Sequence, residues 1–140
     1  MTGSSVTDSS VEEFSFNGLT FTGKCVKNYD GDSIKIVIYV FDKLHKLTIR
    51  LANIDSPEIK AVEDNEKKFA QVVKAALADK ILNKLVTVKL YHADKYGRNL
   101  SDVYLGDEHI NKWLIDNKYA VEYHGGQKSN WHQMLIDNNY

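Results

Sequence analysis

Hydrophobic and polar residues alternate in three short segments of the first half of the chain. The clearest is Ser33 to Val40 (SIKIVIYV), where every second residue from Ile34 onward is apolar and falls on one face. Leu19 to Val26 and Leu47 to Ile54 show the same period, and Phe41 to Lys46 is predicted as the hairpin loop before the last segment. The pattern predicts three consecutive strands.

The period then changes to that of an amphipathic helix. Its apolar stripe follows the i, i+3, i+4, i+7, i+8 spacing and consists of Phe69, Val72, Val73, Ala76 and Leu77. Val86 to Tyr91 and Leu100 to Leu105 return to a period of two, with His92 to Asn99 as the loop between these two strands. Two short helical patterns end the chain, and they group Ile110, Trp113 and Leu114, then Trp131, Met134 and Leu135, with Ser129 as the N-cap of the second.

This order of elements predicts a β-barrel with helices, of the α+β class. Three strands, a helix, two strands and short C-terminal helices match a five-stranded, partly open OB-fold barrel with its helix between the third and fourth strands. We expect residues 15–140 to form this domain. Residues 1–14 are mostly small, polar or acidic and are predicted to be a disordered or loosely docked tail.

Composition excludes several classes of protein. No segment approaches the roughly 18 uninterrupted apolar residues of a membrane span, and the single Cys25 cannot form an intramolecular disulfide. The N-terminal residues lack the basic and apolar regions of a signal peptide, so we expect an intracellular protein, with secretion after processing left open. The net charge of −1 excludes a polycation that holds nucleic acid by bulk charge. Any attraction to nucleic acid must be local.

Three polar segments lie at the ends of predicted strands, and they are Asp30 to Ser33 (DGDS), Asp55 to Glu58 (DSPE) and Asp94 to Arg98 (DKYGR). Taken alone, each segment is an ordinary polar turn. Arg50 precedes Asp55 by five residues, so an ideal strand would put the two on opposite faces. They can share a site only if the chain bends between them.

Together, DGDS, RLANIDSPE (Arg50 to Glu58) and DKYGR resemble the staphylococcal nuclease (thermonuclease) family, over the region from about Phe21 to Met134. The resemblance implies a Ca²⁺-dependent hydrolase of DNA and RNA that leaves 5′-hydroxyl and 3′-phosphate ends. We expect a monomer that acts on DNA or RNA, prefers single strands and has no membrane partner.

The resemblance also implies a role for each matching residue. Asp32, Asp55 and the Ser56 carbonyl would hold Ca²⁺, a hard cation that prefers oxygen ligands. Glu58 would activate or position the attacking water. The phosphate would be bound by Arg50 and Arg98, and the nucleotide by Lys95 and Tyr96.

This sequence differs from the family in three respects. The segment from Ile59 to Phe69 is shorter than the corresponding lysine-rich loop, and the net charge is close to zero where secreted relatives are strongly basic. Tyr123 and His124 fall where the family has tyrosines, but their register is ambiguous, so no role is transferred to them. Trp113 and Trp131 are predicted to pack in the core.

Two other functions remain open from the sequence. One is a non-catalytic module that binds nucleic acid or protein on the same barrel, because OB-fold barrels commonly bind single strands. The other is a structural Ca²⁺ site in a scaffold or interaction domain.

Overall fold

A computed structural model describes residues 6–139. Met1 to Ser5 of the predicted tail therefore lie outside the described residues. The described part of the tail is exposed from Val6 to Phe14 and forms a single 3₁₀ turn at Asp8–Ser10. Whether the tail is loosely docked in solution stays a prediction.

Residues 6–139 form eight strands and three α-helices. In order they are β1 (Thr20–Asn28), β2 (Ser33–Val40), β3 (Lys43–Leu51), β4 (Ile54–Asp55), α1 (Asp64–Ile81), β5 (Leu85–Ala93), β6 (Asn99–Leu105), β7 (Glu108–His109), α2 (Ile110–Asp116), β8 (Val121–Glu122) and α3 (Trp131–Asp137). None of these helices is both long enough and apolar enough to cross a bilayer.

Five long strands close into a barrel. Antiparallel pairing runs in the order β3-β2-β1-β5-β6, and a parallel pairing of Ile49–Leu51 with Asn99–Ser101 joins β3 to β6. Helix α1 lies between the third and fourth barrel strands in sequence, and α2 and α3 follow the barrel. The predicted fold class is confirmed, and the barrel is closed rather than partly open.

The core lies between the inward faces of the strands and α1. Phe69, Val73, Leu77 and Ile81 of α1 are buried, at an i, i+4, i+8, i+12 spacing, whereas Val72 is 44% exposed. Ala70 is buried as well. The predicted stripe was therefore wrong at Val72, which lies at the edge of the buried side of the helix.

The predicted loop from residue 41 to 46 is wrong. Strands β2 and β3 are joined by a two-residue turn, in which Phe41 and Asp42 both have positive φ (54° and 63°). This is the twist that a tight hairpin needs, but Phe41 is not a residue that usually adopts it. The strand before Asp55 also begins and ends earlier than the predicted segment Leu47 to Ile54. It ends at Leu51, and a turn with Asn53 at φ 63° leads into β4.

The N-cap of α3 also differs from the prediction. The side chain of Asn130, not Ser129, accepts the hydrogen bond from the Gln133 backbone N–H at 3.1 Å. Both residue types are good caps, so the sequence did not separate these neighbours.

Candidate active site

The turn between β1 and β2 presents Asp32. The Asp30 carboxylate accepts backbone N–H groups from Asp32 (3.0 Å) and Ser33 (2.9 Å), which fixes the turn. Gly31 packs so closely on α1 that an added Cβ would lie 2.4 Å from Val73 Cγ1. Close packing, rather than a positive φ, is the reason that the structure shows for a glycine at this position.

The Asp32 carboxylate joins three elements. Its Oδ2 accepts the Ser56 hydroxyl at 2.8 Å and lies 3.4 Å from Arg50 Nη2, while its Oδ1 accepts the Ser33 hydroxyl at 3.2 Å. Asp32 is only 6% exposed. The turn before β2, the end of β3 and the segment after β4 therefore meet at this carboxylate.

The bend after β3 brings Arg50 and the DSPE segment to the same place. Arg50 donates hydrogen bonds to the carbonyls of Leu51 (2.5 Å) and Ile54 (2.9 Å) across the turn at Asn53. Arg50 is 7% exposed, so these bonds hold the guanidinium in a fixed orientation. The sequence could state that a bend was required but could not show it.

Asp55 is the most buried acid of the site, at 1% exposed. Its Oδ2 accepts the Trp131 indole N–H (3.2 Å) and the Ser129 backbone N–H (3.3 Å), whereas its Oδ1 is buried without a hydrogen-bond partner. Burial raises the pKa of Asp55 above its usual value, and the indole hydrogen bond opposes this shift. One oxygen of this carboxylate is therefore fixed and the other is unsatisfied.

Glu58 faces Lys128. The Lys128 ammonium lies 3.1 Å from Glu58 Oε1, and the Glu58 backbone N–H donates to Glu66 Oε2 at 2.8 Å. Burial lowers the pKa of Lys128, but its hydrogen bond to Glu58 and the charges of Asp55 and Asp32 outweigh this and raise that pKa. Lys128 thus carries a firmly held positive charge beside the acidic residues.

The loop between β5 and β6 places Arg98 at the site. Asp94 Oδ2 accepts from Arg98 Nε at 2.8 Å, and Arg98 Nη1 donates to the Ser33 hydroxyl at 3.2 Å. Burial opposes ionisation of Asp94, but backbone hydrogen bonds from Arg98 and Tyr96 and the Arg98 charge outweigh it and lower its pKa. Tyr96 is 72% exposed, and the Lys95 ammonium lies 5.2 Å from its ring centroid.

A cavity of about 400 Å³ brings most of the predicted residues together, and its lining comprises Asp30, Asp32, Arg50, Ser56, Pro57, Glu58, Tyr96, Arg98 and Lys128. Lys95 lines a neighbouring groove of about 730 Å³, which also contains Tyr123 and His124. Asp55 lines neither, because its side chain points toward the start of α3. The roles predicted for these residues stay predictions.

The chemistry of the donor set, two carboxylates and a carbonyl oxygen, suits a hard cation. Oδ1 of Asp55 is a buried carboxylate oxygen that lacks a hydrogen-bond partner. Burial and the charge of Asp32 raise the pKa of Asp30 to about 6, which shows that carboxylates are crowded here. Within residues 6–139, no three His, Cys, Asp or Glu side chains are arranged to hold a metal ion. The predicted set contains only two carboxylates, so a carbonyl and water would complete it.

Two residues of the site were missed from the sequence. Lys128 follows Gly125 and Gly126 in a loop with no recognised motif, and it reaches Glu58 across 70 positions of the chain. Trp131 was correctly predicted as a core residue, but its indole N–H also holds Asp55. A buried tryptophan usually has a partner for its N–H, and this was the one available signal.

Comparison with known proteins gives a consistent family. Residues 48–138 match the family model described as staphylococcal nuclease homologue. An uncharacterized endonuclease of Escherichia coli O157:H7 is 34% identical over 94 residues, which cover 66% of this chain and 55% of that protein. A micrococcal nuclease of Shigella flexneri is 32% identical over 84 residues, which cover 60% and 42%. The chain spans about half the length of these relatives.

Proposed function

The chain belongs to the family of staphylococcal nuclease homologues, and from this membership we propose that it is a Ca²⁺-dependent nuclease. It would hydrolyse phosphodiester bonds of DNA and RNA, with a preference for single strands, as a monomer, and leave 5′-hydroxyl and 3′-phosphate ends. The observation that carries the proposal is the single cavity shared by Asp32, Arg50, Glu58 and Arg98.

These residue types suit the hydrolysis of a phosphodiester. The substrate is anionic and resists attack by water, so catalysis depends mainly on positioning and charge stabilisation. Asp32, Asp55 and the Ser56 carbonyl would hold Ca²⁺, which supplies a positive charge against a phosphoryl oxygen. Arg50 and Arg98 would bind the same phosphate through charge-assisted hydrogen bonds.

The contacts that hold the two arginines support these roles. Arg50 is held by two carbonyls and Arg98 by Asp94, so neither has to be ordered when the phosphate arrives. Such preorganised donors contribute most where charge develops in the transition state, and loss of one typically costs about 10²–10³ in rate.

Glu58 would accept a proton from the attacking water or position that water. In this structure its Oε1 is 3.1 Å from Lys128, and its side chain is 55% exposed, so water has access to it. Attack opposite the 5′ oxygen would release that oxygen as the hydroxyl. The neighbouring groove would hold the nucleoside, with the exposed Tyr96 ring available for stacking on a base.

The test is digestion of end-labelled single-stranded DNA and RNA oligonucleotides with Ca²⁺ or with a chelator. We expect cleavage only with Ca²⁺. The products should end in a 3′-phosphate, which a 3′-phosphatase removes. Glu58→Gln should lose at least about 10² in kcat, since it removes the base and keeps the shape. Lys112→Gln, a matched change on exposed α2, should keep wild-type activity.

Two results would contradict the proposal. One is that the wild type and Glu58→Gln are equally inactive over a range of metals and pH. The other is tight oligonucleotide binding without cleavage and without any response to Ca²⁺, which would favour a non-catalytic binding module on the same barrel.

A further inference from the structure

The charges of this nearly neutral chain are distributed unevenly. Strands β1, β2 and β3 contain five Lys and one Arg and no Asp or Glu, although the whole chain has a net charge of −1. Four of these lysines are Lys24, Lys27, Lys35 and Lys46. Lys24 and Lys35 lie on the outer side of the barrel, because their neighbours Cys25, Ile34 and Ile36 are buried in the core. Lys27 and Lys46 are exposed on the same side, opposite Lys35 and Val37. We refer to these four lysines with Tyr29 as the basic face.

The lysines of the basic face are close together without acidic partners. Lys27 is directly opposite Lys35 in the β1–β2 register, an arrangement of like charges that destabilises a sheet. Both ammonium groups lie over the Tyr29 ring, at 4.6 and 5.8 Å from its centroid. Among the described residues, none of the four lysines forms an ion pair with a carboxylate. The pKa of the Tyr29 hydroxyl is lowered, mainly by a hydrogen bond from Lys35 and also by the charges of Lys35, Lys27 and Lys46.

The basic face is continuous with the candidate active site. Ser33 pairs with Arg50, Lys35 with Thr48, and Val37 with Lys46. Directly opposite residues, and residues two apart on a strand, share one side of a sheet. Arg50 and Ser33 therefore lie on the same side as Lys35 and Lys46. Two residues along a strand span about 7 Å. Lys35 therefore lies about 7 Å from the Ser33–Arg50 pair, and Lys46 lies about 7 Å farther along the sheet.

We propose that the basic face binds the phosphates of a single-stranded nucleic acid on one side of the phosphate that is cleaved. This proposal rests on the proposed function, since it states where the substrate continues outside the cavity. Aromatic surface lies beside the charges, in Tyr29 against Lys27 and Lys35 and in the exposed Tyr39 two residues beyond Val37. Positive charges together with aromatic rings bind single strands without sequence preference. Attraction to polyanions explains why the sheet retains uncompensated lysines at a cost in stability.

The test compares two triple variants with equal loss of charge. The first is Lys27→Gln/Lys35→Gln/Lys46→Gln, and the control is Lys67→Gln/Lys68→Gln/Lys112→Gln on exposed helix surfaces. Binding of a labelled single-stranded 16-mer and of a dinucleotide would be measured by fluorescence anisotropy with chelator over a range of salt. The basic-face variant should bind the 16-mer at least about tenfold more weakly, and its slope of log K against log salt should fall by about 2, at roughly 0.7 per phosphate contact.

The results expected for the basic-face variant differ from those of a variant that is unfolded or catalytically impaired. The basic-face variant should unfold no more easily than the control, because repulsion between Lys27 and Lys35 is removed. Its affinity for the dinucleotide, and its kcat on that substrate, should equal those of the wild type. Equal 16-mer affinity and salt slope in the two variants would overturn the proposal, as would binding to anionic lipid vesicles but not to the 16-mer.

Failure of the nuclease proposal can be distinguished from failure of the proposal for the basic face. If no variant cleaves but only the basic-face variant loses 16-mer binding, the binding surface stands and the nuclease activity does not. If the wild type cleaves and both variants bind alike, the nuclease activity stands and the binding surface does not.

Discussion

Replacement of Trp131 by Phe tests how the most buried acid of the site is held. The change removes the indole N–H that donates to Asp55 Oδ2 at 3.2 Å and leaves only the Ser129 backbone N–H on that oxygen. A hydrogen bond to a charged group contributes about 1.5–3 kcal/mol, and Asp55 is too buried for water to replace it freely. The smaller ring also loses packing against Phe69, at about 1–2 kcal/mol.

The two losses have different pH dependences. Burial raises the pKa of Asp55 in the folded protein above its ordinary value, and loss of the indole donor should raise it further. The deficit in unfolding free energy is therefore full above the folded-state pKa, where Asp55 is charged. It shrinks as the pH falls through that pKa, because a neutral carboxyl needs the donor less. The packing loss is the same at every pH.

The assay is urea unfolding followed by circular dichroism, with chelator, near pH 7.5 and near pH 4. We expect Trp131→Phe to lose about 2.5–5 kcal/mol at the higher pH and at least about 1 kcal/mol less at the lower pH. Leu135→Ala is the matched control, since Leu135 is equally buried in α3 and its apolar side chain has no N–H to donate to Asp55. Its deficit should not change with pH. An equal deficit for Trp131→Phe at both pH values would refute the role of the indole N–H.

Three further predictions concern other parts of the molecule. Lys128→Met removes the positive charge beside Glu58 and should tighten Ca²⁺ binding about 2–10-fold, measured by calorimetry. Lys128→Arg keeps the charge and should leave Ca²⁺ affinity unchanged, and weaker binding in the Met variant would contradict this prediction. Gly31→Ala should cost about 1–3 kcal/mol in urea unfolding, because its Cβ would lie 2.4 Å from Val73 Cγ1. In the double variant Gly31→Ala/Val73→Ala the loss should be smaller than the sum of the two single losses, and an additive loss would refute the clash. Cys25 is fully buried, and burial raises the pKa of its thiol. A thiol reagent should therefore modify Cys25 only in denaturant, and fast labelling of the native protein would contradict this prediction.

Much of the fold was predictable because its signals are local. Ser33 to Val40 was predicted with its observed bounds, since alternating isoleucines specify both the strand and its buried face. The hairpin loop was predicted, but too long, because Phe41 and Asp42 do not carry the usual signal for a two-residue turn with positive φ. Val72 and the α3 cap were misassigned because the periodicity does not define the width of a contact or choose between adjacent polar residues.

The candidate site was predictable only in part. DGDS, DSPE and DKYGR each lie at the end of a strand, and barrel closure brings most of their residues to one cavity. The bend at Asn53 depends on pairing of β4 with β8, whose residues are nearly 70 positions apart in the chain. Lys128 and Trp131 contact the site only through the tertiary fold. Contacts over such separations have no local signal in a single sequence.

A crystal structure with Ca²⁺ and a nucleoside bisphosphate tests most directly whether Asp32 and Asp55 bind one ion beside both arginines. We predict one ion about 2.3–2.6 Å from oxygens of Asp32, Asp55 and the Ser56 carbonyl, with Arg50 and Arg98 on the same phosphate. An ion bound by only one of the two carboxylates, or a phosphate away from both arginines, would contradict the account.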